Sequence, residues 1–367
     1  MQRFWSHFIE PLLRALKPQH IVEIGSQGGG NTAHILHFCK EHDSRATIID
    51  PLPIGNMEEI AELLAAYSTH KQGLSLDILP KLPVADAYLI DGDHNWYTVY
   101  HEIDTVITKA KTENQRLPLL LFHDVGWPYG RRDLYYDPAT VPAEGVLPYV
   151  KGGLVPGVTA PVEGEGFNAH LCNALEEGTP ENGVCTAVED ATAKYRSDYR
   201  LYTIPGWHGL ALMAPHNAPE AVETIIRERF ILPETAQAYI EQLEHSRCEL
   251  LVTQHNTRHE LLQTRKEARL LRQELEEAHK QVEREQENLA RLYRETQNLC
   301  ESTEKMLLSP RWRIGNAIIT CLSVLLRRPK GTPPLTSLHD LKTRLDNEPF
   351  IQRMQQKRQA QEPKAAS

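Results

Sequence analysis

Short apolar runs recur through the first two thirds of the chain, each closed by a glycine, a proline or an acid. His20–Ile24, Ala46–Ile49, Ala87–Ile90 and Pro118–Phe122 have the length and bulk of buried strands. Between them the apolar positions follow a helical period. Phe4, Phe8, Leu12 and Leu16 share one face of a covering helix that Pro18 ends. Asn31–Glu41, Met57–Tyr67 and Tyr97–Ala110 read as further helices, and Gly73–Leu76 as a short strand before Pro80 and Pro83. Strand and helix in alternation predict a doubly wound, mostly parallel α/β sheet. Polar residues gather where the strands end, which is where such sheets bind ligands.

The pattern then breaks. Residues 126–181 are rich in Pro, Gly and Tyr and keep no period, as expected of a long insertion folded over the strand ends. Gly152-Gly153 and Gly164-x-Gly166 are candidate hinges for it. Asn182-Gly183 opens a helix through Tyr195. Tyr199–Ile204 and Gly209–Met213 flank Pro205-Gly206-Trp207-His208 as a hairpin, so the sheet is expected to finish with an antiparallel strand. From about Leu243 to Leu299 a heptad pattern runs. One core row is Leu261, Ala268, Leu275, Val282, Leu289; the other is Leu250, Leu271, Ala278, Leu292, Leu299. Thr257, Thr264 and Glu285 interrupt the seam, which is expected to be a dimerising coiled coil or else a single solvated helix. Ile314–Leu326 is apolar between Arg311, Arg313, Arg327, Arg328 and Lys330. Such a segment suits either an interfacial helix or a helix docked on protein. The expected divisions are a domain at 1–216, a helical stalk at 217–308, a basic amphipathic segment at 309–330 and a polar, disordered tail at 331–367.

Composition narrows the classes. A formal charge of -9 argues against general nucleic-acid binding. Six cysteines without a Cys-x-x-Cys pair suggest reduced thiols in a cytoplasmic protein. No apolar run reaches the about 20 residues of a membrane span. Glu10 and Arg14 interrupt the first apolar run, unlike a secretory leader.

The chemistry is organised around Ile21-Val22-Glu23-Ile24-Gly25-Ser26-Gln27-Gly28-Gly29-Gly30-Asn31-Thr32, an apolar strand feeding a glycine turn and a helix start. Asp50 closes the next strand. A carboxylate there suits a ribose diol, with a turn or cap aspartate as the plainer role. A nicotinamide fingerprint needs Gly-x-Gly-x-x-Gly at the strand end. Here the glycines are displaced to positions 28–30, and Glu23 lies inside the strand.

This stretch resembles motif I of the class I S-adenosylmethionine-dependent methyltransferases, a Rossmann-like family. The resemblance implies that Glu23, Gly25, Ser26, Gly28 and Gly29 cradle the methionine part of the donor, and that Asp50 binds its ribose. It also implies that Asp77, in Leu74–Pro80, lines the adenine. Leu89-Ile90-Asp91-Gly92-Asp93-His94 and Leu121-Phe122-His123-Asp124 resemble a narrower subgroup of bacterial sugar and macrolide O-methyltransferases. That resemblance implies magnesium on Asp91 and Asp124 beside the acceptor hydroxyl, with Asp91 also near the donor. His94 and His123 are then base candidates, and Asp93 could serve as ligand or base. His123 stands where those relatives carry a carboxylate. A cation lowers a hydroxyl's pKa and orients it, which is what a weakly acidic sugar hydroxyl needs.

In the insertion, Trp127–Pro138 interleaves aromatics with Arg131, Arg132, Asp133 and Asp137, as a sugar site or a lid anchor would. The expectation is methyl transfer to a hydroxyl of a sugar or glycan intermediate. The stalk would pair two copies or tether one to a glycan-assembly partner at the cytoplasmic membrane face. A non-catalytic interaction protein acting through its coiled coil is the alternative, and a nicotinamide-dependent oxidoreductase a weaker one.

Overall fold

The computed structural model describes residues 1–52, 61–326 and 334–347, together with positions 349 and 352–353. It divides into two compact units, Met1–Leu261 and Leu262–Ser367. The first unit thus extends past the expected boundary at 216.

Seven strands form the central sheet: β1 His20–Ile24, β2 Arg45–Asp50, β3 Ser68–Gln72, β4 Ala87–Ile90, β5 Leu119–His123, β9 Tyr199–Ile204 and β10 Leu210–Pro215. Their order is β3-β2-β1-β4-β5-β10-β9. All run parallel except β10, which pairs antiparallel with both β5 and β9. The antiparallel strand is therefore last in the chain but inside the sheet, and β9 forms the edge. Alternate residues of each central strand feed two cores. Ile21, Leu89, Leu121 and Leu212 face one; Val22, Ile90, Leu120 and Met213 face the other.

On the first face lie α1 (Glu10–Leu16), α2 (Gly30–His42) and α7 (Glu220–Arg229). On the second lie α5 (Trp96–Thr112) and α6 (Val184–Lys194). The helix expected from Phe4 is regular α only from Glu10; a π-helical turn, Trp5–Ile9, precedes it. Phe4, Leu12 and Leu16 are nevertheless all buried.

Two expectations around β3 need correction. The strand is Ser68–Gln72, and the segment expected to be a strand instead opens a short helix, α4 (Ser75–Ile78). β3 sits at the sheet edge with mostly exposed, polar side chains, so it has no apolar run to announce it. The helix expected from Met57 is seen as α3, Ala61–Tyr67, its earlier part lying outside the described residues.

The insertion has its own small sheet: β6 (Leu134–Tyr135), β7 (Tyr149–Lys151) and β8 (Cys172–Ala174), in the order β6-β8-β7. Two buried charged side chains pin it down. The Arg132 guanidinium donates to the carbonyls of Ala174, Leu175 and Thr159 and to Glu177. The Asp133 carboxylate accepts from Trp96 N (2.8 Å), Gly183 N (2.6 Å) and Tyr135 OH (2.8 Å). The expected glycine hinges are close contacts instead. A Cβ on Gly153 would strike the Glu165 carbonyl, and one on Gly166 the backbone of Gly153 and Leu154.

A long helix, α8, covers Glu234–Leu308. Its first turns belong to the first unit. There Asn256 Oδ1 accepts from Gly166 N (2.8 Å), and Cys248 and Val252 are buried. In the second unit, α10 (Pro334–Asp346) is tied to α8 through Asp346, which accepts from Tyr293 OH (2.8 Å) and Gln297 Nε2 (3.0 Å). The heptad residues Leu271, Leu275, Val282, Leu289, Leu292 and Leu299 are exposed on α8. Arg327, Arg328, Lys330 and most of the tail lie outside the described residues. All six cysteines are free thiols.

Replacing Asp133 with alanine strands two buried amides and a phenol. Asp133→Ala should cost about 3 kcal/mol or more and speed proteolysis within 126–181, whereas Asp133→Asn should cost less. Chemical denaturation and limited proteolysis of the two variants check this.

Candidate functional site

The turn after β1 is built inward. Gly25 has a φ of +85°, and a Cβ there would run into the backbone of Asp91 and Gly92. Its N–H donates to Ile49 O (2.9 Å), while Asp91 N donates to Ile24 O (2.8 Å). The ends of β1, β2 and β4 are thereby held at one point of the sheet edge.

Two of the acids expected to touch a donor, Glu23 and Asp50, also hold the scaffold. Glu23 is 1% exposed and accepts from Asn31 Nδ2 (2.9 Å) and Thr32 Oγ1 (2.6 Å), tying β1 to the first turn of α2. Burial pushes its carboxyl up to about 7, against the pull of those two hydrogen bonds. Asp50 accepts from Ser26 N (2.8 Å), Ser26 Oγ (2.9 Å), Gln27 N (3.3 Å) and Leu52 N (2.9 Å). Three of these converge on Oδ2 and brace the glycine turn, while Oδ1 takes Leu52 N alone and keeps a lone pair for a further donor. Ser26 is buried with it. Gly29 has a φ of +74° and heads α2, whereas Gly28 faces open space, with nothing near the position of a Cβ. Asp77 is exposed on α4. Beside it the buried Ser75 hydroxyl donates to the buried Glu102, whose carboxyl burial pushes up to about 8.

At the ends of β4 and β5, Asp91, His94, His123 and Asp124 converge. His94 Nε2 lies 2.7 Å from Asp124 Oδ2 and 3.7 Å from Asp91 Oδ1. His123 Nδ1 lies 3.2 Å from Asp91 Oδ1 and 3.0 Å from Asp124 Oδ2. Asp124 reaches this position with a φ of +59°. Burial pulls the His123 imidazole down, but Asp124 and Asp91 outweigh it and bring it to about 9. The same balance raises His94, with Tyr136, Asp124 and Asp91 opposing burial. Burial also works against the charges on Asp91 and Asp124, yet the neighbouring imidazolium of His123 holds both well below the usual carboxylate range. Asp93 is not part of the cluster. Its Oδ2 accepts from Thr98 Oγ1 (2.9 Å) at the start of α5, while Asn95 caps that helix.

Three further groups join the cluster whose part in it the sequence did not mark. Tyr136 OH is 3.1 Å from His94 Nδ1. The carbonyl of Trp207, in the hairpin loop, is 3.0 Å from His123 Nε2. The Met1 ammonium donates to Asp91 Oδ2 (2.8 Å). Contacts of this kind join segments far apart in the chain, so no local motif predicts them. The hairpin loop is itself clasped by α8. Glu244 accepts from Trp207 N (2.9 Å) and His208 N (2.8 Å) and pairs with Arg247 at 2.6 Å.

The donor chemistry of Asp91, Asp124 and His123 fits a divalent cation, since one ligand atom from each lies within 4.8 Å of the others. With Nε2–H directed at the Trp207 carbonyl, Nδ1 is the nitrogen turned to both carboxylates, and a cation that displaced its proton would find the tautomer a metal ligand needs. One imidazole beside two carboxylates suits a borderline transition cation better than magnesium, which favours an all-oxygen set.

Residues 22–125 match the family model described as a methyltransferase domain. That span contains the glycine turn, Asp50 and the whole acid–histidine cluster. No curated protein matches the chain. Among solved structures it is similar to the S-adenosylhomocysteine-bound methyltransferase PaMTH1 of Podospora anserina (12% identity, 57% of this chain and 77% of that one, TM-score 0.33). It is also similar to TomG of Streptomyces achromogenes, an O-methyltransferase of tomaymycin synthesis (15%, 56% and 76%, 0.32). A third is human N-acetylserotonin methyltransferase (14%, 58% and 53%, 0.31). Likenesses at this level say nothing about reaction or substrate.

The raised histidine gives the cluster a pH signature. His123 stabilises the fold fully below its ordinary value near 6.5, and that contribution is lost as pH rises towards about 9. Denaturation with chelator present should show wild-type stability falling by about 3 kcal/mol from this group between those limits. Glu23 and Glu102, raised to about 7 and 8, lose stability in overlapping ranges. His123→Asn should therefore flatten the slope without abolishing it. An unchanged slope above pH 6.5 would remove the imidazolium assignment.

Proposed function

We propose that the first unit transfers the methyl group of S-adenosylmethionine to a hydroxyl oxygen. The observation that carries this reading is the contact of Gly25 with the Asp91–Gly92 backbone, which makes the glycine turn and the acid–histidine cluster one continuous surface. The methyltransferase-domain match over 22–125 supports the same reading.

In this reading the donor lies along Ser26–Gly29, with its ammonium towards Asp91 and its sulfonium methyl towards the cluster. The acceptor oxygen attacks the methyl carbon in line, the carbon–sulfur bond breaks, and its electron pair stays on sulfur. The protein's work is alignment and removal of one proton. We assign that proton to His94 Nδ1, reached through the Tyr136 hydroxyl, which gives its own proton to Nδ1 as it takes the acceptor's, while Asp124 holds Nε2. The donor's two positive charges, arriving beside an imidazole that is otherwise kept protonated, lower it into working range. A divalent cation on Asp91, Asp124 and His123 Nδ1 would polarise the acceptor hydroxyl.

A sugar or glycan acceptor remains part of the proposal, on narrower grounds. Within Trp127–Pro138, the side chains of Arg132, Asp133, Leu134 and Tyr135 are buried, and Arg131 pairs with Glu189 at 2.6 Å. Tyr136, exposed, and Trp127, half-buried, are left to face a ring. The exposed leucines of α8 support a second element, pairing of two copies through a coiled coil.

Gly28 separates binding from folding, because a side chain there meets nothing in the protein. Gly28→Leu should leave the melting temperature unchanged and weaken S-adenosylmethionine binding at least about tenfold by calorimetry. Asp124→Asn should keep binding and slow methyl transfer about a hundredfold or more. Absence of binding to the wild-type protein would falsify the donor assignment.

A further inference from the structure

The second unit carries a helix that its own surroundings do not account for. Helix α9 spans Pro310–Leu325, with Ser309 capping it by accepting from Trp312 N. None of its side chains is buried. Ile314, Ile318, Ile319, Leu322, Val324 and Leu325 are each more than half exposed.

Beyond the first turn, where Arg311 stands outside it, the polar positions form one row: Arg313, Asn316, Thr320 and Ser323, spaced three, four and three residues apart. The sequence continues that spacing to Arg327, outside the described residues. At 3.6 residues per turn this row takes roughly a third of the circumference, leaving about two thirds apolar. A seam between paired helices is a narrower stripe. An arc this wide suits an environment that is apolar on most sides.

Charge selects among such environments. Between Glu304 and Asp340 the sequence holds no acid but six cations: Lys305, Arg311, Arg313, Arg327, Arg328 and Lys330. This lies within a chain whose formal charge is -9. Arg311 and Arg313 stand at one end of α9 beside Trp312, a ring with an apolar body and a polar N–H. No helix among the described residues is long and apolar enough to cross a membrane.

We propose that α9 docks flat on an anionic lipid surface, its wide apolar arc in the acyl region and its cations among the headgroups. The proposal is independent of the methyl-transfer reading, since it concerns a different unit and needs no catalysis.

Flotation of the full chain with vesicles tests it. Wild-type protein should float with phosphatidylcholine vesicles containing phosphatidylglycerol and stay behind with phosphatidylcholine alone. Raising salt from about 0.1 M to about 0.5 M should release much of it. Ile318→Asp/Leu322→Asp should cut recovery at least about tenfold, and Arg311→Gln/Arg313→Gln should lower it and weaken its salt dependence. The arginine variant leaves the apolar surface intact, so it reports even if the aspartate pair unfolds the helix. The proposal is overturned if wild type fails to float with anionic vesicles, or if both variants float as wild type does. It is equally overturned if the aspartate pair changes only the oligomeric mass by light scattering, which would make a second copy the occupant.

Discussion

Two strand ends meet without side chains between them, and the site depends on that meeting. Gly25 lies against the backbone of Asp91 and Gly92 so closely that even a methyl group is excluded. The approach fixes the glycine turn of β1 against the acid turn of β4. Around it, the acids of the scaffold act as braces. Glu23 secures the start of α2, Asp50 gathers the amides of the turn, and Asp133 joins the insertion to α5 and α6. Each is a buried carboxylate kept in place by several donors, which makes rigidity the common purpose.

This use of acids explains where the sequence could be read and where it could not. Central strands were legible because both faces of the sheet are covered, leaving runs such as Ile21–Ile24 and Leu119–Phe122 almost wholly apolar. β3 was misplaced because an exposed edge strand of Ser, Thr, His, Lys and Gln has no such run. The strands of the insertion are two or three residues long, too short for any period to show. At the site, Asp91, His94, His123 and Asp124 could be picked out because polar residues at adjacent strand ends must converge. Whether an acid faces a ligand or an amide depends on its rotamer and on loops elsewhere. Glu23, Asp50 and Asp93 therefore had a legible position without a legible direction.

The cluster itself is electrostatically self-sufficient. Two carboxylates and two imidazoles hold each other ionised, which keeps four buried polar groups satisfied before any ligand arrives. Such a centre is poised to exchange one positive charge for another, whether proton, ammonium or metal ion.

The clasp of Glu244 on the amides of Trp207 and His208 bears on where the unit that holds the candidate site ends. Four successive residues of that loop, Gly206 to Gly209, have positive φ, and two of them, Trp207 and His208, donate or accept around Glu244 and His123. A fragment cut just after β10 would keep every strand of the sheet and every acid of the cluster. It would still lose the carboxylate that holds this strained loop, and with it the carbonyl that orients His123. The first turns of what reads as a stalk are thus a wall of the candidate site, and a minimal fragment that keeps it whole has to run through the buried positions Cys248 and Val252 of α8.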